Sequence, residues 1–538
     1  MKKLELWQFS SLEKIFLKEL PGEQELFSAS ALLGEEFHYQ ITYLYTSVEK
    51  NFFEISVDSP LREYITVHTV GNVPAELPAY EHDYDDDYIT LAPGLFPDVL
   101  YPLTKNRVEA RFSRYHSFWI TVKIPEDLPA GEYEICFTMK NDALGLCESK
   151  KMSLTVIGAA LPKQKMIYTQ WISQASIAEY YHQELYSEPF WDMTKRFVRC
   201  GAENGINMVL IPIFNAKSLK GPQSVTVQKT KNGYSFDFSN MRRYIELLKE
   251  QGIEYFELGH LYNVKTHAPN KVLCRNEQGE NEFLFDRGEA SLTDFERFLA
   301  DFLPALKQFL IEEDILERAY FHIADEPTLK DLDFYKHESD VLKRYLGDVR
   351  IMDALSDYEF YETDCLQYPV VAIDHLEPYF GKKNVIGYNC CAQHTAVSNR
   401  FMAMPSYRNR IIGVQMYLYQ LIGFLHWGFN YYFTENEPHL INPFLTTDGE
   451  NTWQAGDPFS VYPGEDGPIE SIRLKVFFEA LTDVCALQLL EQYASREEIS
   501  DMIRKLAGMQ INFREYPRTR KFLLDLRETV NRMIAERI

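Results

Sequence analysis

Nowhere in the 538 residues is there an apolar run of about 18 residues, the least that carries a helix across a bilayer. The opening Met1-Lys-Lys-Leu-Glu-Leu-Trp7 also lacks the apolar core of a signal peptide. Basic residues are short: 55 Lys and Arg face 79 Asp and Glu, a formal charge of −24. That balance argues against nucleic acids and anionic membranes as partners, because phosphate binding needs a basic face. Cysteine is sparse and badly spaced for metal. Of eight, Cys390 and Cys391 are adjacent and the rest are scattered. No CxxC, HExxH, Walker-type phosphate loop or GxSxG elbow occurs, so no metal or organic cofactor is expected. As it stands, the chain reads as soluble, reduced and cytoplasmic. Its oligomeric state is not legible.

What is present is apolar and aromatic, 46% and 14% of residues. These fractions describe packed domains rather than disorder, and the length calls for two or three cores. The 34 Tyr, 36 Phe and 6 Trp suit stacking against sugars, and large cores account for them equally well. The acidic run Glu81–Asp87 lacks the glycine and distal glutamate of a calcium loop and reads as a solvated loop.

Residues 1–160 alternate in short periods: Phe37–Tyr45, Phe53–Val57, Phe118–Ile124, Tyr133–Met139 and Lys150–Ile157 read as strands of an N-terminal β-sandwich. Leu161–Lys165 is the predicted linker. From there to residue 468 the rhythm changes to strands alternating with helices. Predicted strands are Lys165–Trp171, Ile206–Ile213, Ile253–Gly259, Ala319–Ala324, Val349–Ala354, Pro369–Ile373, Val385–Tyr388 and Phe424–Tyr432. Predicted helices include Phe190–Glu203, one capped by Asp237 or Ser239 and running to Glu250, one opened by the capping box Thr293-Asp-Phe-Glu296, and Tyr407–Gly423. Eight strands over about 270 residues fit a (β/α)8 barrel of the TIM type. Residues 435–468 read as a long loop over its mouth. Residues 469–538 read as a helical extension packed on the barrel, with a second capping box at Ser495–Glu498.

Within the barrel, Ala319-Tyr-Phe-His-Ile-Ala-Asp-Glu-Pro-Thr328 is a buried strand that runs out into Asp325 and Glu326. Pro327 ends the ladder because it has no N–H to donate. Acids at the carboxyl end of a barrel strand sit where such folds keep their chemistry. Neighbours on a regular strand point to opposite faces, so aiming both at one ligand requires the backbone to bend there. Two adjacent carboxylates also push their pKa values apart, which keeps one protonated near neutral pH.

Three stretches, His322-Ile-Ala-Asp-Glu-Pro327, Leu425-His-Trp-Gly-Phe-Asn430 and Gly456-Asp-Pro-Phe-Ser-Val-Tyr-Pro-Gly464 with Pro468-Ile-Glu-Ser-Ile-Arg473, make the chain resemble the glycoside hydrolase 123 and DUF4091 group. The turns Gly94–Asp98 and Pro129–Tyr133 match as well. After Arg473 the family pattern fades, and only Asp483 is kept of its Asp-Tyr-Glu-Tyr-Leu block. The resemblance implies an N-terminal sandwich, a (β/α)8 catalytic domain, and removal of β-linked N-acetylgalactosamine with retention. In that chemistry the substrate's own acetamide is the nucleophile. Glu326 would be the general acid and base. Asp325 would hold the acetamide N–H.

Strand-end positions nominate Trp171, Asn207, His260, His322, Tyr388, His426, Trp427 and Asn430 as substrate-binding residues. Asp353 and Asp374 read first as rim salt bridges. Two other readings stay open. One is a non-catalytic glycan-binding paralogue. The other is a glycosidase for neutral sugars, with Asp353 or Asp374 as a second carboxylate about 5 Å or more from the first.

Overall fold

The computed structural model describes residues 3–22, 24–110, 113–214, 222–285, 292–435 and 438–538. Its N-terminal part is two five-stranded sheets. One orders Lys3–Ser10, Glu36–Thr46, Tyr115–Lys123, Ile65–Ala75 and Gly94–Pro102; the other orders Ser28–Leu33, Leu146–Ala160, Gly131–Asn141, Asn51–Asp58 and Arg107–Ala110. Strict alternation puts Phe53, Ile55 and Val57 on one face of their strand. They meet Tyr39, Ile41 and Phe118 of the other sheet in a shared core.

Beyond the linker, eight strands close a barrel: Ile167–Gln170, Met208–Ile211, Tyr255–Leu258, Ala319–Phe321, Arg350–Leu355, Tyr368–Ala372, Ile386–Tyr388 and Gly423–His426. Every neighbouring pair is parallel, and the last strand pairs with the first from Ile167 opposite Gly423 to Gln170 opposite His426. Met352 and Ala354, Val370 and Ala372, and Ile386 and Tyr388 keep the two-residue spacing of one strand face and fill the interior. Gly205 and Gly252 end the helices Glu188–Glu203 and Ser239–Glu250 at φ +87° and +82°, where a side chain would be strained.

Several expectations need correction. After the fifth and sixth strands the helices shrink to single turns, Glu359–Glu362 and Glu377–Tyr379. A four-stranded sheet (Gly233–Asp237, Thr226–Thr230, Val272–Arg275, Asn281–Leu284) leaves the barrel after its second and third strands. The helix Leu292–Glu312 starts before Thr293, so that threonine lies inside the first turn; Ser291, ahead of it, is outside the described residues. Ser495 and Glu498 do form their reciprocal box.

The run Glu81–Asp87 is only half solvated. Asp85 accepts from both terminal nitrogens of buried Arg408 at 2.7 and 2.8 Å, and Tyr407 donates to Asp87 at 2.5 Å. Asp98, inside the strand Gly94–Pro102 where the sequence predicts a turn, likewise holds Arg473 through two bonds of 3.0 Å. The helix Ile472–Leu490 lies so close to Ser406–Tyr419 that a Cβ on Gly413 would stand 2.2 Å from the Ala480 carbonyl. Among the described residues, no helix is long and apolar enough to cross a membrane.

Candidate functional site

The site is built from the carboxyl ends of the barrel strands. The fourth strand is shorter than expected, ending at Phe321, and Asp325 and Glu326 emerge exposed above it. Glu326 has φ +50°, the left-handed region that bulky residues avoid. This is the backbone bend demanded by two neighbouring acids. Its N–H is tied to the Ala354 carbonyl at 3.1 Å, and the Tyr388 hydroxyl donates to Oε1 at 2.9 Å. Protein crowding around the carboxyl raises the Glu326 pKa, the Asp325 charge raises it further, and the Tyr388 bond works the other way.

Beneath this pair lies a buried ionic core. His322 places Nδ1 2.9 Å from Asp353 Oδ1 and Nε2 3.0 Å from Glu257 Oε2. Carboxylates only accept, so both ring nitrogens must donate and the ring is an imidazolium. Burial opposes that charge, but the two acids win and lift the pKa to about 10. Asp353 also accepts from the Ile323 N–H at 2.8 Å and the Tyr335 hydroxyl at 2.6 Å; Glu257 also accepts from Thr169 and from Trp171 Nε1 at 2.9 Å. Asp353 is therefore held on both oxygens and fully buried, out of reach of a ligand at the mouth.

His260 is the neutral counterpart. Its ring centroid lies 4.5 Å from that of His322, and burial followed by the His322 cation pulls its pKa down to about 4. Among the described residues Nε2 has no hydrogen-bond partner; it stands 3.7 Å from Asp353 Oδ1 and 3.9 Å from Asp325 Oδ1. Trp171 packs edge-on against His260 at 5.6 Å. His260, His322 and Asp353 each have a ligand atom within 4.8 Å of the others, the spread of a metal site. With both ring nitrogens of His322 held by carboxylates, the trio is organised here as an ion-pair core.

The linkage has a definite sign. The His322 cation stabilises the fold fully below pH about 6.5, and that contribution is lost as pH rises through about 10. Thermal unfolding followed from pH 6.5 to 10 is expected to show a declining midpoint in the wild type. A His322→Asn variant, less stable throughout, lacks that part of the decline.

At the end of the eighth strand, His426 is buried and its Nδ1 accepts from Arg400 at 2.8 Å and from the Gly428 N–H at 3.0 Å. Burial and the Arg400 charge hold its pKa near 4, so it too is neutral. Trp427 Nε1 donates to buried Asp457 at 2.9 Å, and its ring stands 5.2 Å from that of Trp453. Gly428 is required by contact: a Cβ there would lie 2.6 Å from two carbonyls, of Asp457 and Pro458.

Two nominated residues fall elsewhere. Asn207 precedes the second strand, at the opposite end of the barrel from the acids, and its amide bridges the Tyr168 N–H and the Met166 carbonyl. Asn430 is on the mouth side, but it is buried with its amide bonded on both sides to the Ser173 backbone. Both correct the sequence-based expectation, which read them as ligand contacts. Asp374 accepts from Gln393 at 3.1 Å and His375 at 3.0 Å on the rim. Glu257, Arg400 and Asp457 were missed. Glu257 had a signal, a lone charge inside the apolar strand Tyr255–Leu258. Asp457 stood within a quoted motif, and Arg400 had no signal.

A closed parallel barrel whose mouth carries adjacent acids, one of them inclined to keep its proton, falls in the class of glycoside hydrolases. The chain belongs to glycoside hydrolase family 123, whose catalytic-domain model matches residues 171–490. A solved family 123 glycoside hydrolase from Clostridium perfringens, described as acting in glycolipid glycan hydrolysis, superposes with a TM-score of 0.76 at 18% identity, covering 99% of this chain and 98% of its own. At that identity the likeness shows the fold. An endo-beta-1,4-mannanase from Thermotoga petrophila, 11% identical over 60% of this chain and 77% of its own, has a TM-score of 0.33, too low to carry an argument. None of the curated proteins compared with the chain matches it.

Proposed function

We propose that this glycosidase releases β-linked N-acetylgalactosamine, or a related N-acetylhexosamine, from a glycan with retention through an oxazolinium intermediate. The observation that carries the reading is Glu326 itself, held in a left-handed backbone beside Asp325 with its pKa raised. Glu326 protonates the glycosidic oxygen as the bond to C1 breaks. The acetamide oxygen bonds to C1 as the leaving group departs. Asp325 accepts the acetamide N–H and balances the positive charge of the oxazolinium. Glu326, now a carboxylate, takes a proton from the water that attacks C1, and the acetamide is restored.

Trp171, His260, Tyr388 and Trp427 are the proposed walls of the sugar pocket. His322 and His426, both buried, act on it through their neighbours. The proposed organisation is a β-sandwich over 1–160, a (β/α)8 barrel over 161–468 and a helical extension over 469–538.

The test is hydrolysis of a nitrophenyl β-N-acetylgalactosaminide. Turnover is expected with the acetamido sugar and inhibition with the thiazoline mimic of the cyclised intermediate. The analogue carrying hydroxyl in place of acetamido is expected to be inert. Equal rates on the two sugars would eliminate substrate assistance. Sugar binding without turnover of any acetamido glycoside would make the protein a lectin-like relative.

A further inference from the structure

A second cluster of ionisable side chains takes no part in the chemistry above. It lies where the helix Leu292–Glu312 packs against the helix Leu332–Leu346, the helices before and after the strand Ala319–Phe321. Glu296 of the first helix and His337 and Glu338 of the second each bring a ligand atom within 4.8 Å of the other two. The spacing in sequence hides the group, because Glu296 and His337 are 41 residues apart.

Glu338 is the anchor. It is 1% exposed, and its Oε2 accepts from the Tyr262 hydroxyl. Among the described residues its Oε1 is buried with no hydrogen-bond partner. A carboxylate oxygen left unpaired in the interior is costly unless a proton or a cation meets it. The other two donors lie nearer the surface. His337 Nε2 stands 2.8 Å from Glu296 Oε1, the side chains being 54% and 31% exposed. Donors on a tetrahedral zinc are about 3.3 Å apart, so this pair has to part by only about half an ångström. One imidazole nitrogen with two carboxylate oxygens is a donor set of zinc and its first-row neighbours. Calcium and magnesium favour sites made of oxygen alone, so the nitrogen selects against them.

We propose that Glu296, His337 and Glu338 form a binding site for a divalent transition-metal ion of the zinc type, with water in the fourth position. Binding is ligand exchange: metal–water bonds give way to one bond to nitrogen and two to oxygen, and any proton on His337 leaves to solvent. No oxidation state changes. The ion supplies the counter-charge that the Glu338 oxygen lacks, and it ties together the two helices that flank the strand leading to Asp325 and Glu326. The site is independent of the sugar chemistry proposed for that pair.

The test is calorimetric titration of the full chain, first stripped with a chelator, with zinc chloride. One ion per chain is expected, together with a rise in the thermal unfolding midpoint, because the ion binds the folded chain. Cobalt(II) in place of zinc is expected to show no thiolate charge-transfer band, which separates these donors from the cysteines. Glu338→Gln keeps the side chain's shape and an oxygen for the Tyr262 hydroxyl. His337→Ala and Glu296→Gln, nearer the surface, keep the question decidable if Glu338→Gln does not fold. Each is expected to weaken zinc binding by more than the ~10–100-fold that loss of an outer-shell partner costs. No binding, a thiolate band, or unchanged affinity in His337→Ala and Glu296→Gln overturns the site. Calcium chloride is expected to leave the midpoint where it is, and a rise as large as that with zinc overturns the assignment to a transition metal.

Discussion

Replacing Glu326 by Gln is expected to lower hydrolysis by about 10²–10⁴-fold, the contribution of a positioned general acid. The amide keeps the shape of the side chain and can still meet the Tyr388 hydroxyl, so KM for the acetamido sugar is expected to change little. The pH profile supplies a second readout. An acid catalyst works protonated, and both crowding and the Asp325 charge raise the Glu326 pKa, extending activity towards neutral pH. Asp325→Asn removes one of those causes. Its residual activity is expected to fall off at lower pH on the alkaline side than that of the wild type. An alkaline limb that stays in place would mean that another group supplies the proton.

The second large effect is on stability. Arg410 donates to Asp483 at 2.7 and 2.9 Å and to Glu479 at 2.8 Å, all three residues being buried. Glu479 continues to Ser11 at 2.9 Å and His38 at 3.2 Å in the sheet region. Asp483 continues to Arg527, which reaches Glu35. Arg410→Met leaves two buried carboxylates short of their cation, a change that costs about 3–5 kcal/mol. A cavity of about 70 Å³ borders the network and has room for water, which favours the lower end of that range. Denaturant unfolding, read as a shift of the first transition because a chain of this size need not unfold in one step, is the measurement. Lys521→Ala, which removes an exposed pair with Asp525 one helical turn away, is the control and is expected to change stability by less than about 1 kcal/mol. Equal effects from the two variants would show that the buried network does not hold the parts together.

Much of this was legible in the sequence because it rested on local rules. The eight barrel strands announced themselves as short apolar runs, and the joins at Gly205 and Gly252 as a helix stop followed by an apolar start. The bend at Glu326 followed from asking how two neighbouring acids on a strand could face one ligand. What was hidden depended on partners far along the chain. Asn207 looks like a strand-end polar residue, and only the register of the second strand shows which end it occupies. The strands Thr226–Thr230 and Asn281–Leu284 are short and half polar, and neither has a pattern until a distant partner covers it. Asp85 read as part of a solvated acidic run because Arg408, its counter-ion, comes more than three hundred residues later. Glu257 was overlooked because a lone acid within an apolar strand was read as a strand position and nothing more.

The N-terminal acids Asp85 and Asp98 have a practical implication for anyone trimming this enzyme. Each neutralises a buried arginine, Arg408 on the helix Ser406–Tyr419 or Arg473 on the helix Ile472–Leu490, and His38 does the converse for Glu479. Cutting the chain at Leu161 would strip two buried arginines of these carboxylates and leave Glu479 with Arg410 alone. The first ten strands are thus a counter-charged half of the hydrolase rather than a detachable accessory, and an excised barrel should be made with those three positions redesigned as neutral, apolar side chains.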